Sequence, residues 1–128
     1  MPNPVIHWEI AAQDRKKLQQ FYADLFGWKV NDDNPMQYAL MDSGAGGING
    51  GIMQRQGPQP SYVTFYVSVE DPAATLDKAS ALGGKTCLPA TPIPNVGTIG
   101  MFLDPEGHVI GVIKMLRPAA KRVAGAAP

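Results

Sequence analysis

The feature that most constrains this chain is an internal repeat. The stretch Val5–Asp14 (VIHWEIAAQD) returns in degenerate form as Tyr62–Asp71 (YVTFYVSVED), with an offset of 57 residues. Each copy alternates like a strand and then reaches an Asp that can begin a helix. Because a module that is used twice builds the same unit twice, the repeat predicts two similar supersecondary units in tandem.

The first copy of the module predicts one strand, one helix and three further strands. Alternation over Val5–Ile10 predicts the opening strand, with His7 and Glu9 on the same side. Asp14 is the predicted N-cap of the helix, and Gly27 is its predicted end. The apolar stripe of this helix is predicted at Leu18, Phe21, Tyr22 and Leu25. The further strands are predicted at Trp28–Val30, Gln37–Met41 and Ile48–Gln54.

The second copy repeats this order. Tyr62–Val69 is the predicted strand, and Asp71 followed by Pro72 predicts the start of the second helix, which ends at Gly83–Gly84. Leu88–Pro94 holds three prolines and is predicted as a loop that lies over the mouth of a cavity. The apolar sides of this strand and helix are predicted to carry Val63, Phe65, Val67, Leu76, Ala79 and Leu82. The final strands are predicted at Thr98–Leu103 and Val109–Met115, joined by a turn at Asp104–Gly107.

The two modules together predict an α+β fold. We expect a single domain, 1–128, made of repeats 4–54 and 61–116, with a tail at 117–128 that is flexible or packs on a partner. If the two sheets meet side by side, within the chain or across a dimer, they form a curved mixed sheet, a half-barrel, whose inner face is a small-molecule site. The open edges of such a sheet favour a homodimer.

Composition excludes several classes of partner. The 11 basic residues balance 11 acidic ones, so the chain offers no field that attracts nucleic acid or an anionic membrane. No stretch approaches the length of apolar chain that spans a bilayer, and the start lacks the pattern of a signal peptide. The single cysteine cannot form an internal disulfide, which favours a reduced, cytoplasmic setting.

Four pieces of the sequence resemble the vicinal oxygen chelate superfamily, which includes glyoxalase I, bleomycin-resistance proteins and extradiol dioxygenases. They are IHWEIAAQD, FYADLFGWKV, VTFYVSVED and FLDPEGHVIGVI. The second is similar to the FYxxLFGW signature of the glyoxalase-like branch, related to lactoylglutathione lyase, and DPEGHVIG is similar to its DPxGN turn. The resemblance covers Val5–Leu116 and implies the glyoxalase-like half-barrel of two βαβββ modules. It leaves the function open among isomerases, oxygenases, transferases and binding proteins.

The resemblance also implies where a metal enzyme of this superfamily would place its ligands. These positions fall on His7, Thr64, Gly51 and Gly111, and metal enzymes usually carry Glu at the last two. A divalent ion needs about three or four N, O or S donors. We therefore expect no metal and no other cofactor.

Glycines at two of these positions leave room, which predicts a deeper and drier cavity. His7 and Glu9 are the predicted general acid and base, with the carboxylate setting the tautomer of the ring, and Tyr66 is the predicted donor to an oxyanion. These three are the predicted catalytic residues. The predicted ligand-binding residues are Asn49, Gly51, Met53, Thr64, Met101, Gly111 and Ile113.

Structural roles remain open for several of these side chains. His7 can be a barrel residue that only bonds Glu9 or a backbone carbonyl, and Tyr62 and Tyr66 can be packing residues. His108 is predicted in a turn and Cys87 as a buried apolar side chain. Asp42 and Asp104 are predicted to tie turns at strand ends.

The function predicted from these residues is that of a metal-independent lyase or isomerase acting on a small carbonyl or oxygenated metabolite. The alternative is a non-catalytic protein that binds or sequesters a small molecule, as bleomycin-resistance proteins do. Zero net charge gives little support to capture of a cationic drug. An accessory domain with a vestigial cavity is the third possibility.

Overall fold

The structure is a computed structural model that describes residues 2–34, 36–58 and 60–116. Ten elements follow one another in the order predicted by the repeat. The first five are β1 (Val5–Ala12), α1 (Arg15–Phe26), β2 (Lys29–Asn31), β3 (Tyr38–Asp42) and β4 (Gly50–Gln54). The second five are β5 (Tyr62–Ser68), α2 (Pro72–Ala81), β6 (Lys85–Ile93), β7 (Gly97–Leu103) and β8 (Val109–Met115). The predicted α+β class and the two βαβββ modules are confirmed.

The two modules order their strands in the same way. In the first, β1 pairs with β4 in parallel, and β3 lies antiparallel between β4 and β2, which gives the order β2-β3-β4-β1. In the second, β5 pairs with β8 in parallel and the order is β5-β8-β7-β6. By internal contacts, 6–65 forms one compact unit, and 2–5 with 66–116 forms the second.

Both helices begin at the predicted aspartates. The Asp14 carboxylate accepts a hydrogen bond from the Lys17 amide, and the Asp71 carboxylate accepts one from the Ala74 amide. Gly27 ends α1 with a φ of 72°, in the left-handed region that favours glycine. These local signals were readable because each cap is fixed by residues within one helical turn.

Each unit buries the helix side of its own sheet. The first core contains Ala12, Ala39, Met41 and Ile52, with Trp8, Tyr22 and Trp28 packed against them. The second contains Val69, Leu76 and Val112. Burying one such aliphatic side chain contributes about 1.5–3 kcal/mol. The side chains of the even-numbered residues of β1 and β4 therefore face the helix, and those of the odd-numbered residues lie on the opposite face of the sheet.

Several predicted apolar positions are exposed. On α1, Phe21 and Leu25 are 55% and 57% exposed, and Leu82, beyond the end of α2, is 72% exposed. On β5, Val63 is 76% exposed, whereas Thr64 is buried. The predicted apolar faces were therefore wrong at these positions. The reason is that α1 packs mainly on β2–β4 and α2 on β6–β8, so apolar residues outside these contacts stay uncovered.

The proline-containing segment was predicted as a loop, and this prediction was wrong. Most of Leu88–Pro94 belongs to β6, which pairs antiparallel with β7 at the edge of its sheet, with irregular register between Thr86 and Leu88 and between Leu88 and Thr91. An edge strand tolerates proline because one side of its backbone needs no partner. Cys87 lies on this strand and is exposed, so its predicted burial was also wrong.

The turn before β8 forms as predicted. The Asp104 carboxylate accepts hydrogen bonds from the amides of Glu106 and His108 and from the His108 ring, whose Nδ1 lies 2.9 Å from Oδ2. These donors lower the pKa of Asp104, with the His108 amide contributing most. His108 and Asp104 therefore have the turn roles that the sequence predicted.

No helix in the described ranges is long and apolar enough to cross a membrane. The tail at 117–128 lies outside the described residues.

Candidate functional site

The helix-free face of the first unit carries His7 and Glu9. Glu9 lies in register with Gly51 of β4, which in turn lies in register with Leu40 of β3. Two residues further along the same pair of strands, Tyr38 of β3 is the register partner of Met53 of β4. Strand alternation therefore brings one imidazole, one carboxylate and one phenol to the same face.

Tyr38 bridges the imidazole and the carboxylate. Its hydroxyl lies 2.7 Å from His7 Nε2 and donates to Glu9 Oε1 over 2.9 Å. The sequence prediction paired His7 directly with Glu9, and the structure instead places a phenol between them. Because the single phenolic hydrogen goes to Glu9, Tyr38 accepts from the Nε2–H of His7.

Glu9 is bonded by a second phenol. The Tyr62 hydroxyl donates to Oε2 over 2.6 Å and also lies 3.2 Å from the sulfur of Met53. Glu9 is only 5% exposed. A buried carboxylate is stabilised when charge-assisted hydrogen bonds replace its water, and the two phenols supply one such bond to each oxygen.

His7 is held neutral. Burial lowers the pKa of His7 from 6.5 to about 4, because the charged ring loses hydration. At neutral pH the ring therefore carries one hydrogen. The bond to Tyr38 assigns this hydrogen to Nε2.

The space expected at the two glycines is filled. A Cβ at Gly51 would overlap the ring of Tyr38, and a Cβ at Gly111 would overlap the ring of Tyr66, its register partner across β5 and β8. The predicted deepening of a cavity at these positions was therefore wrong. The absence of a side chain at each glycine makes room for a tyrosine ring instead.

An open groove of about 380 Å³ lies on the same face, beside the imidazole. The side chains that line it include His7, Lys29, Asn31, Leu40, Asp42 and Asn49. Asn49, a predicted ligand-binding residue, is thus placed next to His7. Met53 contacts the hydroxyl of Tyr62 rather than this groove.

The remaining predicted site residues lie further along the chain. Thr64 and Tyr66 are both buried in β5. In the second unit, Tyr66, Gly111 and Met101 follow one another in register across β5, β8 and β7, and Ile113 lies two residues beyond Gly111. Met101 and Ile113 are each 7% exposed.

The donor set does not fit a divalent metal ion. Within 2–34, 36–58 and 60–116, no three His, Cys, Asp or Glu side chains come together in a group that could hold one. At the positions that the resemblance identified, a tyrosine ring takes the space of a ligand at both Gly51 and Gly111. His7 alone among the four supplies a strong ligand.

The sequence prediction missed Tyr38 and gave Tyr62 only a packing role. A signal for Tyr38 was present, because Ala39 and Met41 read as the core side of β3 and their neighbours must point the other way. The reach of the ring over Gly51 had no such signal.

Comparison with known proteins identifies relatives of this chain. The family described as Glyoxalase/Bleomycin resistance protein/Dioxygenase superfamily matches residues 5–112. A Mycobacterium tuberculosis protein named "Putative glyoxylase CFP32" is 29% identical over an alignment of 118 residues, which covers 81% of this chain and 42% of that protein. This chain therefore spans less than half the length of that relative.

Solved structures share the fold. Methylmalonyl-CoA epimerase from Mycobacterium tuberculosis superposes with a TM-score of 0.65 at 18% identity, over 95% of this chain and 91% of the epimerase. A glyoxalase/bleomycin resistance protein/dioxygenase superfamily member from Vibrio splendidus 12B01 superposes with a TM-score of 0.58 at 18% identity, over 90% of this chain and all of that one (100%). The predicted glyoxalase-like fold is confirmed.

Proposed function

Because the chain belongs to the glyoxalase/bleomycin resistance protein/dioxygenase superfamily, we propose that it is a metal-independent enzyme of the isomerase or lyase type. Its proposed substrate is a small carbonyl or oxygenated metabolite from which a proton is removed. One observation carries the proposal: the hydrogen-bonded chain His7–Tyr38–Glu9 lies beside an open groove. Such a chain supplies an acid and a base without an ion.

The proposed proton transfer runs through three groups. A proton leaves a carbon next to the substrate carbonyl and binds Nδ1 of His7, while the electron pair of the broken C–H bond remains on the substrate as an enolate. The Nε2 proton of His7 then moves to the Tyr38 oxygen, and the Tyr38 proton moves to Glu9 Oε1. The result is one enolate, one neutral imidazole with its hydrogen on Nδ1, and one protonated carboxyl group.

The lowered pKa of His7 suits this relay. An isolated imidazole with a pKa of about 4 is a weak base at neutral pH. In the relay the ring passes a proton on and never holds a lasting positive charge. Glu9 is the final acceptor, and its two bonds from Tyr38 and Tyr62 fix the carboxylate for this role.

The other predicted site residues are proposed to stabilise the enolate or to contact the ligand. Tyr66 is the proposed donor to the oxyanion, because a buried phenol is a strong donor to developing negative charge. The proposed ligand contacts are Asn49, Met53, Thr64, Met101 and Ile113, because tyrosine rings cover Gly51 and Gly111. Of these, Asn49 has the support of a position on the groove wall.

Exchange of substrate protons with solvent tests the proposal. Pyruvate and the neutral compound hydroxyacetone are incubated with the protein in D2O, and loss of their C–H signals is followed by proton NMR. We expect exchange above the protein-free rate for at least one of the two. Glu9→Gln and Tyr38→Phe should each reduce this rate by about 100-fold, which is the contribution typical of general acid–base catalysis.

Tyr22→Phe is the matched control. It removes a phenolic hydroxyl from the helix side of the same unit, where Tyr22 packs on the core, so the rate should not change. Treatment with EDTA should likewise leave the rate unchanged. The proposal fails if Tyr38→Phe exchanges as fast as the parent protein, or if activity disappears with the chelator and returns with a divalent metal.

A binding protein without turnover, of the bleomycin-resistance kind, is the second candidate. The observation that favours it is the bonding of Glu9, because both of its oxygens accept hydrogen bonds from tyrosine side chains of the protein itself. Such a network is stable as a purely structural element. Tight binding of a small molecule together with the absence of exchange in every probe would decide for this candidate.

We also propose that the protein works as a homodimer in the cytoplasm. The support for a dimer is the apolar surface of α1, where Phe21, Leu25 and Phe26 are each more than half exposed. The support for the cytoplasm is the single cysteine, which has no second cysteine in the chain with which to pair. Sedimentation of the parent protein and of a Phe21→Lys variant tests the dimer, and we expect the variant to be monomeric.

A further inference from the structure

We infer that the groove beside His7 recognises a small carboxylate through Lys29 and the side-chain amides of Asn31 and Asn49. This inference deepens the proposed function, on which it rests for the position of the reacting carbon at His7. The recognition of the anion is a separate property that binding alone can test.

The two amides are oriented by the backbone. The Asn31 oxygen accepts a hydrogen bond from the Asp33 amide over 3.1 Å, and the Asn49 oxygen accepts one from the Ser43 amide over 2.9 Å. With each oxygen bound in a turn, each NH2 group is the part left for a ligand. Neither NH2 group bonds another residue in the described part of the chain.

Lys29 adds a positive charge to the same wall. It is exposed at the start of β2 and makes no ion pair within the described ranges. Its register partner, Asp42, also lines the groove and has one oxygen engaged by the Gly44 amide. Two amide donors and an ammonium therefore outnumber the single carboxylate, and the groove favours an acceptor-rich anion.

The dimensions suit a short molecule. Leu40 is 47% exposed and supplies an apolar wall beside these donors. Strands in a sheet are about 4.8 Å apart, so β1 and β2, three steps apart, are separated by roughly 14 Å. Asn49 lies directly before β4, the strand next to β1, and Lys29 lines the same groove as His7. A ligand of a few carbon atoms can thus place a carboxylate among the donors and a carbonyl carbon at the ring of His7.

Titration with pyruvate and pyruvamide tests the inference. The two compounds have nearly the same shape, and only pyruvate carries a charge. Binding is followed by chemical shifts of backbone amides in 15N-labelled protein. We expect pyruvate to shift the amides around Lys29, Asn31 and Asn49 and to bind at least about 10-fold more tightly than pyruvamide, because hydrogen bonds to a charged acceptor are stronger than those to a neutral one.

Asn49→Asp is the sharpest variant. It keeps the oxygen that accepts from the Ser43 amide, so the turn is preserved, and it replaces only the NH2 group by a negatively charged oxygen. Asn49→Asp and Lys29→Met, each as a single variant, should weaken pyruvate binding at least 10-fold. Each should keep the affinity for pyruvamide within twofold of the parent value. Gln56→Glu changes the charge by the same amount at an exposed residue outside the groove, and it should have no effect.

Four results would overturn the inference. The first two are equal affinity for pyruvate and pyruvamide, and an Asn49→Asp variant that binds pyruvate as tightly as the parent protein. The other two are a Gln56→Glu variant that loses as much pyruvate affinity as Asn49→Asp, and tighter binding of inorganic phosphate than of pyruvate. Failure of the proposed function has a different signature. Charge-selective binding at these amides without proton exchange in any probe would sustain the carboxylate site and reject the enzyme.

Discussion

Gly51 in the first unit and Gly111 in the second occupy equivalent places, and each admits a tyrosine ring. The two rings come from different strands. Tyr66 belongs to β5 and covers Gly111, its direct register partner on β8. Tyr38 belongs to β3 and leans over Gly51 from the position opposite Met53.

The difference lies in what surrounds each ring. At the repeat offset of 57, the residue that corresponds to Tyr66 is Glu9. In the first unit, a carboxylate therefore stands where the second unit carries the covering phenol, and the phenol is supplied by a neighbouring strand. A tyrosine ring covers the glycine in both units. Only in the first unit does that tyrosine, Tyr38, form a hydrogen-bonded chain with the titratable groups His7 and Glu9.

Substitution of the two glycines gives the largest expected contrast. Gly51→Ala should displace Tyr38 and reduce proton exchange at least about 100-fold, because the relay loses its middle group. Gly111→Ala should displace Tyr66 and leave the Tyr38 relay intact, so it should reduce exchange only about 10-fold, as expected for the loss of one hydrogen bond to the oxyanion. Overpacking of this kind should lower the free energy of unfolding of both variants by about 1–3 kcal/mol.

Exchange rates in D2O and urea unfolding measure the two effects separately. Adding Tyr38→Ala to Gly51→Ala should relieve the steric overlap without restoring exchange. An equal loss of exchange in both glycine variants at equal stability would show that the two units do not differ in the proposed way.

Removal of a single hydroxyl from each ring sharpens the same comparison. Tyr38→Phe should reduce exchange about 100-fold through loss of proton transfer. Tyr66→Phe should reduce it about 10-fold, as expected for the loss of one hydrogen bond to an oxyanion. Rates measured at substrate saturation check this order, and a larger effect of Tyr66→Phe would reverse the assignment.

The stability of the first unit should depend on pH through His7. The unfolded chain binds a proton near pH 6.5, whereas folding lowers the pKa of His7 to about 4. The unfolded state therefore holds more protons between these values, and the free energy of unfolding falls as the pH drops from 6.5 towards 4. We expect His7 to contribute about 2 kcal/mol to this fall, after allowance for its partial exposure.

Urea unfolding of the parent and of His7→Gln at pH 7 and pH 4.5 isolates this contribution from that of the carboxylates. Glutamine keeps a donor for Tyr38 and does not titrate. Parallel pH profiles for the two proteins would show that His7 is not buried as described.

The helix caps should give the smallest contrast. Asp14→Ala and Asp71→Ala each remove one side-chain acceptor from the first turn of a helix, and each should cost about 1 kcal/mol of unfolding free energy. Thermal unfolding of the two variants measures this. Costs that differ by more than about twofold would show that the repeated caps are not energetically equivalent.

The sequence alone determined the order of the elements other than β6, both helix starts and the shared face of His7 and Glu9. Each of these depends on residues close together in the chain: alternation within one strand, or a carboxylate within one helical turn of an amide. The repeat then extended these local signals to the whole chain, which is why the fold class was predicted correctly.

Only the tertiary structure decided what lies between the imidazole and the carboxylate. Whether Tyr38 reaches His7 depends on the register of β3 with β4 and on the absence of a side chain at Gly51. The exposure of Val63 and the pairing of the proline-bearing strand β6 likewise depend on where the helices and strands pack. A glycine in the sequence shows that space is available, and the neighbour that fills the space is selected by packing across strands.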